Sequence, residues 1–383
     1  MRGITLTATA ALVGCVGWSG DPLSLPLAFA LPALWTWSPS RLIAALVSLG
    51  YFLAASRGLP KGVATYYASD LWPGLLLWIV ASLCFVGVHA AMWTGQRGNA
   101  RSLRYLAAVV LLGLPPFGII GWAHPLTAAG VLFPGWGWWG LAGAFAALGM
   151  MTSRCWPAAA IALGACWLCS AAMWSHPVLP NGWKGVDLER GRSLGRDGSL
   201  DHHLNLIATV RREAREGSRF IILPESALGF WTPTLERVWR AGLEGSDVSV
   251  IAGATIVDAQ AYDNVMVAIS ADGARVIYRQ RMPVPVSMWQ PWLAWTDQGG
   301  GARGNFFANP AVELGGYRIA SLICYEQLIL WPILQSMIYA PEIVVATGNG
   351  WWTGGTSIVA IQRASAASWA RLFDVPLITA FNF

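Results

Sequence analysis

Seven apolar stretches fill most of the first 175 residues, at 4–18, 24–38, 41–56, 71–93, 104–122, 126–150 and 156–174. A helix that crosses a bilayer needs about 20 mainly apolar residues. The last four stretches reach that length, and the first three fit as tilted or partly interfacial helices. The pattern therefore predicts a multispan α-helical membrane domain of seven helices over residues 1–178. A cleaved leader accounts for the first stretch only.

From residue 182 the period changes. Residues 202–216 repeat apolar positions at helical spacing, with Asp201 as the expected N-cap and Gly217 just past the end. Apolar runs at 219–225 and 247–256 predict strands, and 263–270 with 274–280 predict a hairpin across an Ala-Asp-Gly turn. A strand over 317–326, a helix to residue 339, a strand over 341–349, a helix over 356–373 and a strand over 375–382 complete the pattern. Strands that are apolar throughout and alternate with helices predict an α/β domain at 182–383, its sheet covered by helices. Chemistry in such sheets collects at strand ends. Glu225, Cys324 and Asn349 stand at three of them.

Composition changes the picture mainly through charge. The chain is 55% hydrophobic and 12% charged, against about 25% charged in ordinary soluble domains. Residues 1–180 hold eight Lys/Arg and two acids, and residues 181–383 hold seventeen and eighteen, so the net +5 divides into +6 and −1. A nucleic-acid binder carries its basic patch on a folded domain; here the excess lies in the apolar half, so no nucleic-acid partner is expected. It reads as membrane orientation instead. With the N-terminus inside, Arg2, Arg41, Arg97, Arg101, Arg104 and Arg154 fall in inside loops, and only Arg57 and Lys61 in outside ones. Seven spans then place the second domain in the periplasm, on the outer face of a bacterial inner membrane. Tryptophans such as Trp72, Trp93 and Trp139 lie near stretch ends, where indoles anchor at the interface. His89, within a long stretch, is slender support for a transport pathway.

Five of the six cysteines, Cys15, Cys84, Cys155, Cys166 and Cys169, lie in or beside apolar stretches and read as small hydrophobes. Cys166 and Cys169 have a ligand-like spacing but no second pair or histidine cluster, so no metal or redox cofactor is expected. Cys324 is alone in its domain. Such a thiol is either buried and inert or kept for chemistry. Attack on an acyl carbon needs a base and oxyanion donors. His202 and His203 read as a solvated helix start, away from the strand ends. Glu225 follows Pro224 at the end of an apolar run. It reads equally as a partly desolvated general base or as a cap on the next segment. In VSMWQPWLAW (286–295), Trp289, Trp292 and Trp295 recur every third residue. This is a packed loop or a lid that enters the membrane and admits an acyl chain, and the tether to a bilayer favours the lid.

The stretches ILPESALGF, VIYRQRMPVPVS, SLICYEQL and VVATGNGWW, in that order, resemble the nitrilase (carbon-nitrogen hydrolase) superfamily. With the apolar first half, the layout resembles apolipoprotein N-acyltransferases and, closer still, the TraB-type conjugal transfer proteins of bacterial plasmids. The resemblance implies a nitrilase-like αββα sandwich with a Glu–Lys–Cys site and no cofactor. Glu225 matches the base and Cys324 the nucleophile. Gln280 stands at the lysine position, and Ser287-Met288 replace a family Gly-Glu, so the carboxylate of that Gly-Glu is absent too. The lysine would set a fixed positive charge against the oxyanion, a contribution of about two to three orders of magnitude in rate. In its absence the expected donors are Gln280 and the Tyr325 backbone N–H, with Arg281 or Arg279 supplying charge. The chain stops at Phe383, before the last strands and membrane helix of the acyltransferases, so the sheet is expected to lack an edge or borrow one. The function so implied is an amidase or N-acyltransferase acting through a cysteine thioester. Its acyl donor would be a phospholipid, its acceptor a lipoprotein or peptide, and its partners the conjugation machinery. A different class, a lapsed enzyme kept as a membrane scaffold, is suggested by Gln280, Ser287 and Met288.

Overall fold

A computed structural model of the chain describes residues 1–96, 98–175, 177–295 and 300–383, with the side chains at 294 and 295 excepted. Arg97 of the charge count and the Trp295 side chain of the expected lid therefore lie outside the described residues. The chain forms two compact units. The first comprises Met1–Pro177, Leu328–Trp331 and Gly355–Val375; the second comprises Val178–Gln327, Pro332–Gly354 and Pro376–Phe383. Residues 328–331 and 355–375, given to the second domain by the sequence pattern, belong to the first unit.

The first unit is helical: α1 (Arg2–Gly17), α2 (Leu31–Thr36), α3 (Arg41–Ala55), α4 (Leu59–Tyr67), α5 (Leu71–Met92), α6 (Asn99–Gly113), α7 (Ala129–Leu132), α8 (Gly137–Met151) and α9 (Trp156–Ala172). The helix Ile358–Phe373 joins them, because its small buried residues allow close approach. A Cβ at Gly130 would lie 1.6 Å from the Ser368 carbonyl oxygen. The Arg371 guanidinium stacks 3.6 Å from the Trp174 ring.

The seven expected spans do not each become one long helix. Pro115 and Pro116 lack the N–H a helix needs, and α6 ends at Gly113. The stretch 126–150 breaks between α7 and α8, where Gly135 and Gly137 take φ of 77° and 53°. Among the described residues, α5 (22 residues, mean hydropathy 2.2) is long and apolar enough to cross a membrane. Helices α3 and α4, bent by 50°, pass the same test together.

The second unit carries β1 (Trp183–Gly185), α10 (Leu200–Arg215), β2 (Phe220–Ile222), α11 (Pro233–Leu243), β3 (Ser249–Val257), β4 (Tyr262–Ile269), β5 (Ala274–Arg279), β6 (Ala311–Leu314), β7 (Tyr317–Ile323), α12 (Leu330–Ile338), β8 (Ile343–Asn349) and β9 (Leu377–Asn382). They form two sheets, ordered β1-β2-β3-β4-β5 and β6-β7-β8-β9. Pairing is parallel across β1-β2-β3 and β7-β8-β9, and antiparallel elsewhere. Ile222, Ile251 and Met266 from the first sheet share one core with Ile319, Ile343 and Ile378 from the second. The sheets thus pack face to face. Leu206 and Val210 of α10 and Trp239 of α11 cover the outer face of the first sheet. The N-cap of α10 is Ser199, two residues before the expected Asp201: its Oγ accepts from the His202 N–H at 3.2 Å. Asp201 sits instead in the first turn, where its charge meets the positive helix end.

Candidate active site

Beyond β2 the chain turns at Leu223-Pro224 and presents Glu225, followed by Ser226 at φ 64°. This turn lies directly on β3. A Cβ at Gly253 would come within 2.5 Å of the Glu225 Cα, so only glycine fits there. Strand β7 ends at Ile323, and Cys324 opens a 3-10 turn (Cys324–Gln327) with φ 51°. A positive φ is costly for a residue with a Cβ. It leaves Cys324 at the strand end, buried in the core between the two sheets.

Glu225 is 6% exposed. Its Oε1 accepts from Asn264 Nδ2 at 2.7 Å and its Oε2 from the Asn349 backbone N–H at 3.0 Å. The Cys324 thiol is hydrogen-bonded to the same carboxyl. Burial pushes Glu225 above the usual carboxylate range, while these three donors pull it back. Gln280 is 1% exposed. Its Oε1 accepts from the same Asn264 Nδ2 at 3.0 Å, and its Nε2 donates to the Ile323 carbonyl at 3.2 Å. One amide nitrogen therefore ties the lysine-position residue to Glu225. Three of the strand-end residues singled out, Glu225, Cys324 and Asn349, meet here, and Gln280 joins them.

Asn264 was not singled out from the sequence. Its signal was an asparagine inside the apolar run of β4, because a buried amide demands partners. Asn382 was also missed; its Nδ2 donates to Asn349 Oδ1 at 2.8 Å and holds that strand end.

The expected charge suppliers lie elsewhere. Arg281 is fully buried and its guanidinium is committed to the Tyr278 hydroxyl, Gln335, Ser336 and the Pro332 carbonyl at 2.7–3.0 Å. Arg279 is ion-paired with Asp263. Neither is shown bonding Glu225 or Cys324. Gln280, the residue after β5, turns its side chain to Asn264 and Ile323, while Arg279 turns to Asp263 and Arg281 to Tyr278. The carboxylate of the family Gly-Glu is absent, with Met288 in its place; a different carboxylate, Glu326, also fully buried, comes from the Cys324 turn. It accepts from the Tyr278 hydroxyl and from the backbone N–H groups of Arg281, Met282 and Ile323 at 2.7–3.0 Å. Burial raises its carboxyl, and the Arg281 charge is the largest effect opposing this.

Tyr325 is buried beside Cys324. His202 and His203 are buried rather than solvated, with the Trp239 Nε1 donating to His203 Nδ1 at 3.4 Å. In the tryptophan segment, Trp289 is half-buried with its ring edge-on to Phe306 at 5.2 Å, and Trp292 is 40% exposed.

A sandwich of two sheets with a carboxylate and a thiol at its strand ends defines a class. The carbon-nitrogen hydrolase model matches residues 53–371, and the chain belongs to that family. The match begins well before the residue 182 expected from the motifs. The chain is 66% identical over 380 residues, 97% of its length and 90% of the other, to the "Conjugal transfer protein TraB" of Agrobacterium fabrum. It is 60% identical over 377 residues, 98% of its length and 97% of the other, to the "Probable conjugal transfer protein TraB" of Sinorhizobium fredii. Among solved structures, an amidase from Nesterenkonia sp. aligns with TM-score 0.39 and 13% identity, over 54% of this chain and 79% of that one.

Proposed function

We propose that the chain is a membrane-bound cysteine enzyme of plasmid conjugal transfer, an amidase or N-acyltransferase acting through a thioester. One observation carries this reading: a buried carboxyl, Glu225, hydrogen-bonded to the thiol of Cys324. In its ionised form Glu225 takes the Cys324 proton as Sγ attacks an acyl carbonyl. The carbonyl π electrons move to oxygen, and the Tyr325 N–H with the Gln280 amide hold the oxyanion. Collapse expels the amine or alcohol, which takes the proton back from Glu225, and leaves a thioester on Cys324. Water or an amine then attacks the thioester, giving its proton to Glu225, and the thiol is restored.

A phospholipid acyl donor and a lipoprotein or peptide acceptor fit this chemistry. The apolar helix α5, with Trp72, Leu76, Val80 and Leu83 exposed, supports a membrane setting. The arginine-rich inside loops support an inner-membrane chain with the second unit in the periplasm. Exposed Trp292 and half-buried Trp289 support a lipid-facing lid. The test is intact-mass analysis of the full chain after incubation with phospholipid or an acyl-reactive probe. An acyl adduct lost in Cys324→Ala is expected; a folded chain that forms none rejects the reading.

The scaffold reading has its own support in Gln280, a neutral group whose amide is engaged with Ile323 and Asn264. Plasmid transfer by cells carrying Cys324→Ala separates the two. Unchanged transfer favours the scaffold, and lost transfer at normal protein level favours the enzyme.

A further inference from the structure

We propose that Arg192 and Arg196, gathered around Trp351, form a phosphate-binding site at the rim of the Glu225–Cys324 site. Their guanidinium carbons lie 5.6 and 5.1 Å from the centroid of the Trp351 ring. Both arginines are exposed, and no ion pair among the described residues involves either. Of the acids nearby in sequence, Glu189 is exposed and ion-paired with neither arginine among the described residues, and two others are engaged by backbone groups. Asp197 Oδ1 accepts from the Ser199 N–H at 2.9 Å, and Asp187 Oδ1 accepts from the Phe381 N–H at 2.8 Å. Two like charges at one ring repel each other, and the cation–π contact of each with an exposed ring offsets that only weakly. An anion bound between them removes that repulsion.

The loop is fixed against the proposed acyl site on two sides. Asn382 Oδ1 accepts from the Arg190 N–H at 2.9 Å, while its Nδ2 donates to the Gly191 carbonyl and to Asn349 Oδ1, both at 2.8 Å. The Asn349 N–H in turn holds Glu225. On the other side Gly195 abuts the residue after Glu225: a Cβ there would be 2.8 Å from Ser226 Cβ. The guanidinium fork fits carboxylate and phosphate alike, but a dianionic phosphate neutralises two guanidinium charges where one carboxylate neutralises one. The ligand is therefore a phosphate, carried by a lipid headgroup or free. As an anchor for an acyl donor this rests on the function proposed above; as a binding site it does not.

Calorimetric titration of the full chain in non-ionic detergent tests the site, with inorganic phosphate and with a short-chain, water-soluble phosphatidylglycerol as probes. At least one probe should bind the unmodified chain and Cys324→Ala alike. Arg192→Gln/Arg196→Gln should weaken that binding at least about tenfold, equivalent to about 1.4 kcal/mol, and Arg192→Lys/Arg196→Lys should weaken it less. Binding of the lipid alone identifies a headgroup as the source, and binding of inorganic phosphate alone identifies the free ion. Failure of both probes to bind the folded chain, or binding unchanged in the double glutamine variant, overturns the site. Binding that persists where no Cys324 adduct forms would reject the acyl chemistry and leave this site standing. Both arginines are exposed, so the variants should unfold thermally as the unmodified chain does.

Discussion

Gln280→Lys restores the charge that the family resemblance leads one to expect, and its effect can be worked out from three contacts. Asn264 Nδ2 lies 2.7 Å from Glu225 Oε1 and 3.0 Å from Gln280 Oε1, so an ammonium at this position falls about 4–6 Å from the carboxylate. An opposite charge at that range stabilises the ionised carboxyl by about one to three pH units, or about 1.4–4 kcal/mol. Against this, lysine offers Asn264 no acceptor, and the buried N–H left unpaired costs about 1–3 kcal/mol of stability. That cost falls on both charge states of Glu225, so the charge sets the direction of its titration. The ammonium also inherits the Ile323 carbonyl, now 3.2 Å from Gln280 Nε2. Alkylation of Cys324 by iodoacetamide, followed by peptide mass spectrometry from about pH 4 to 9, reads the result without a known substrate. Glu225 accepts the thiol proton only when ionised, so the rate falls as pH drops through its titration. In the unmodified chain this acid limb should lie above the ordinary carboxylate range, because burial raises Glu225. In Gln280→Lys it should move toward acid by about one to three pH units. A limb that stays in place, or moves toward base, refutes the placement of residue 280 beside the base.

Arg281→Met should lower stability by about 1–3 kcal/mol, since it leaves the buried Gln335 and the Tyr278 and Ser336 hydroxyls without their charged donor; a loss below about 0.5 kcal/mol would show that this cluster does not hold the region. Gly253→Ala forces the Glu225 turn off β3 and should destabilise the fold by about 1–3 kcal/mol while slowing Cys324 alkylation, and an unaltered alkylation rate would contradict the close approach. Glu225→Gln should flatten the dependence of stability on pH. The folded carboxyl is raised above its unfolded value, so its favourable contribution is full below the unfolded pKa and is lost as pH rises through the folded one. Chemical denaturation at acid and neutral pH that shows the same slope for both proteins would rule this out.

Most strands of the second unit were readable because burial on both faces makes them apolar runs, and the flanking glycines and acids mark their ends. Strands β1 and β6 were not, being three and four residues long with too little pattern to register. Helix α11 was missed although Thr232 and Pro233 form a helix start and Leu235, Trp239 and Leu243 recur four apart. Glu225, Cys324 and Gln280 were singled out because each stands at or beside a strand end within a family motif. Asn264 and Glu326 lie in the same strands and turns, yet their roles depend on partners 39 and 45 residues away in sequence. No local pattern encodes such pairings. The division of the first half failed differently: hydropathy counts apolar residues without regard to the prolines and glycines that end helices. The same blindness assigned the helix Ile358–Phe373 by sequence position, when its packing partners lie in the first unit.

The missing lysine is easiest to understand as an exchange of one hydrogen-bond network for another. Asn264 Nδ2 needs acceptors on two sides, and Glu225 and Gln280 supply one each. A lysine would compete with Asn264 as a donor toward Glu225; a glutamine receives from Asn264 and passes a hydrogen bond on to the residue before the nucleophile. Gln280 therefore satisfies the Asn264 amide nitrogen, although the buried Asn264 Oδ1 is left without a partner in this network. It does not replace the charge. The nearest buried guanidinium, on Arg281, is committed to the Tyr278 hydroxyl, Gln335, Ser336 and the Pro332 carbonyl. Glu225 thus relies on neutral donors alone: Asn264, the Asn349 N–H and the Cys324 thiol favour its ionised form, but desolvation is the larger effect and leaves the carboxyl raised. Those donors come from three different elements that meet only in the folded sandwich. The basicity of the site is therefore a property of the tertiary structure, and it is set by how tightly β4, β8 and the Cys324 turn close around one carboxyl.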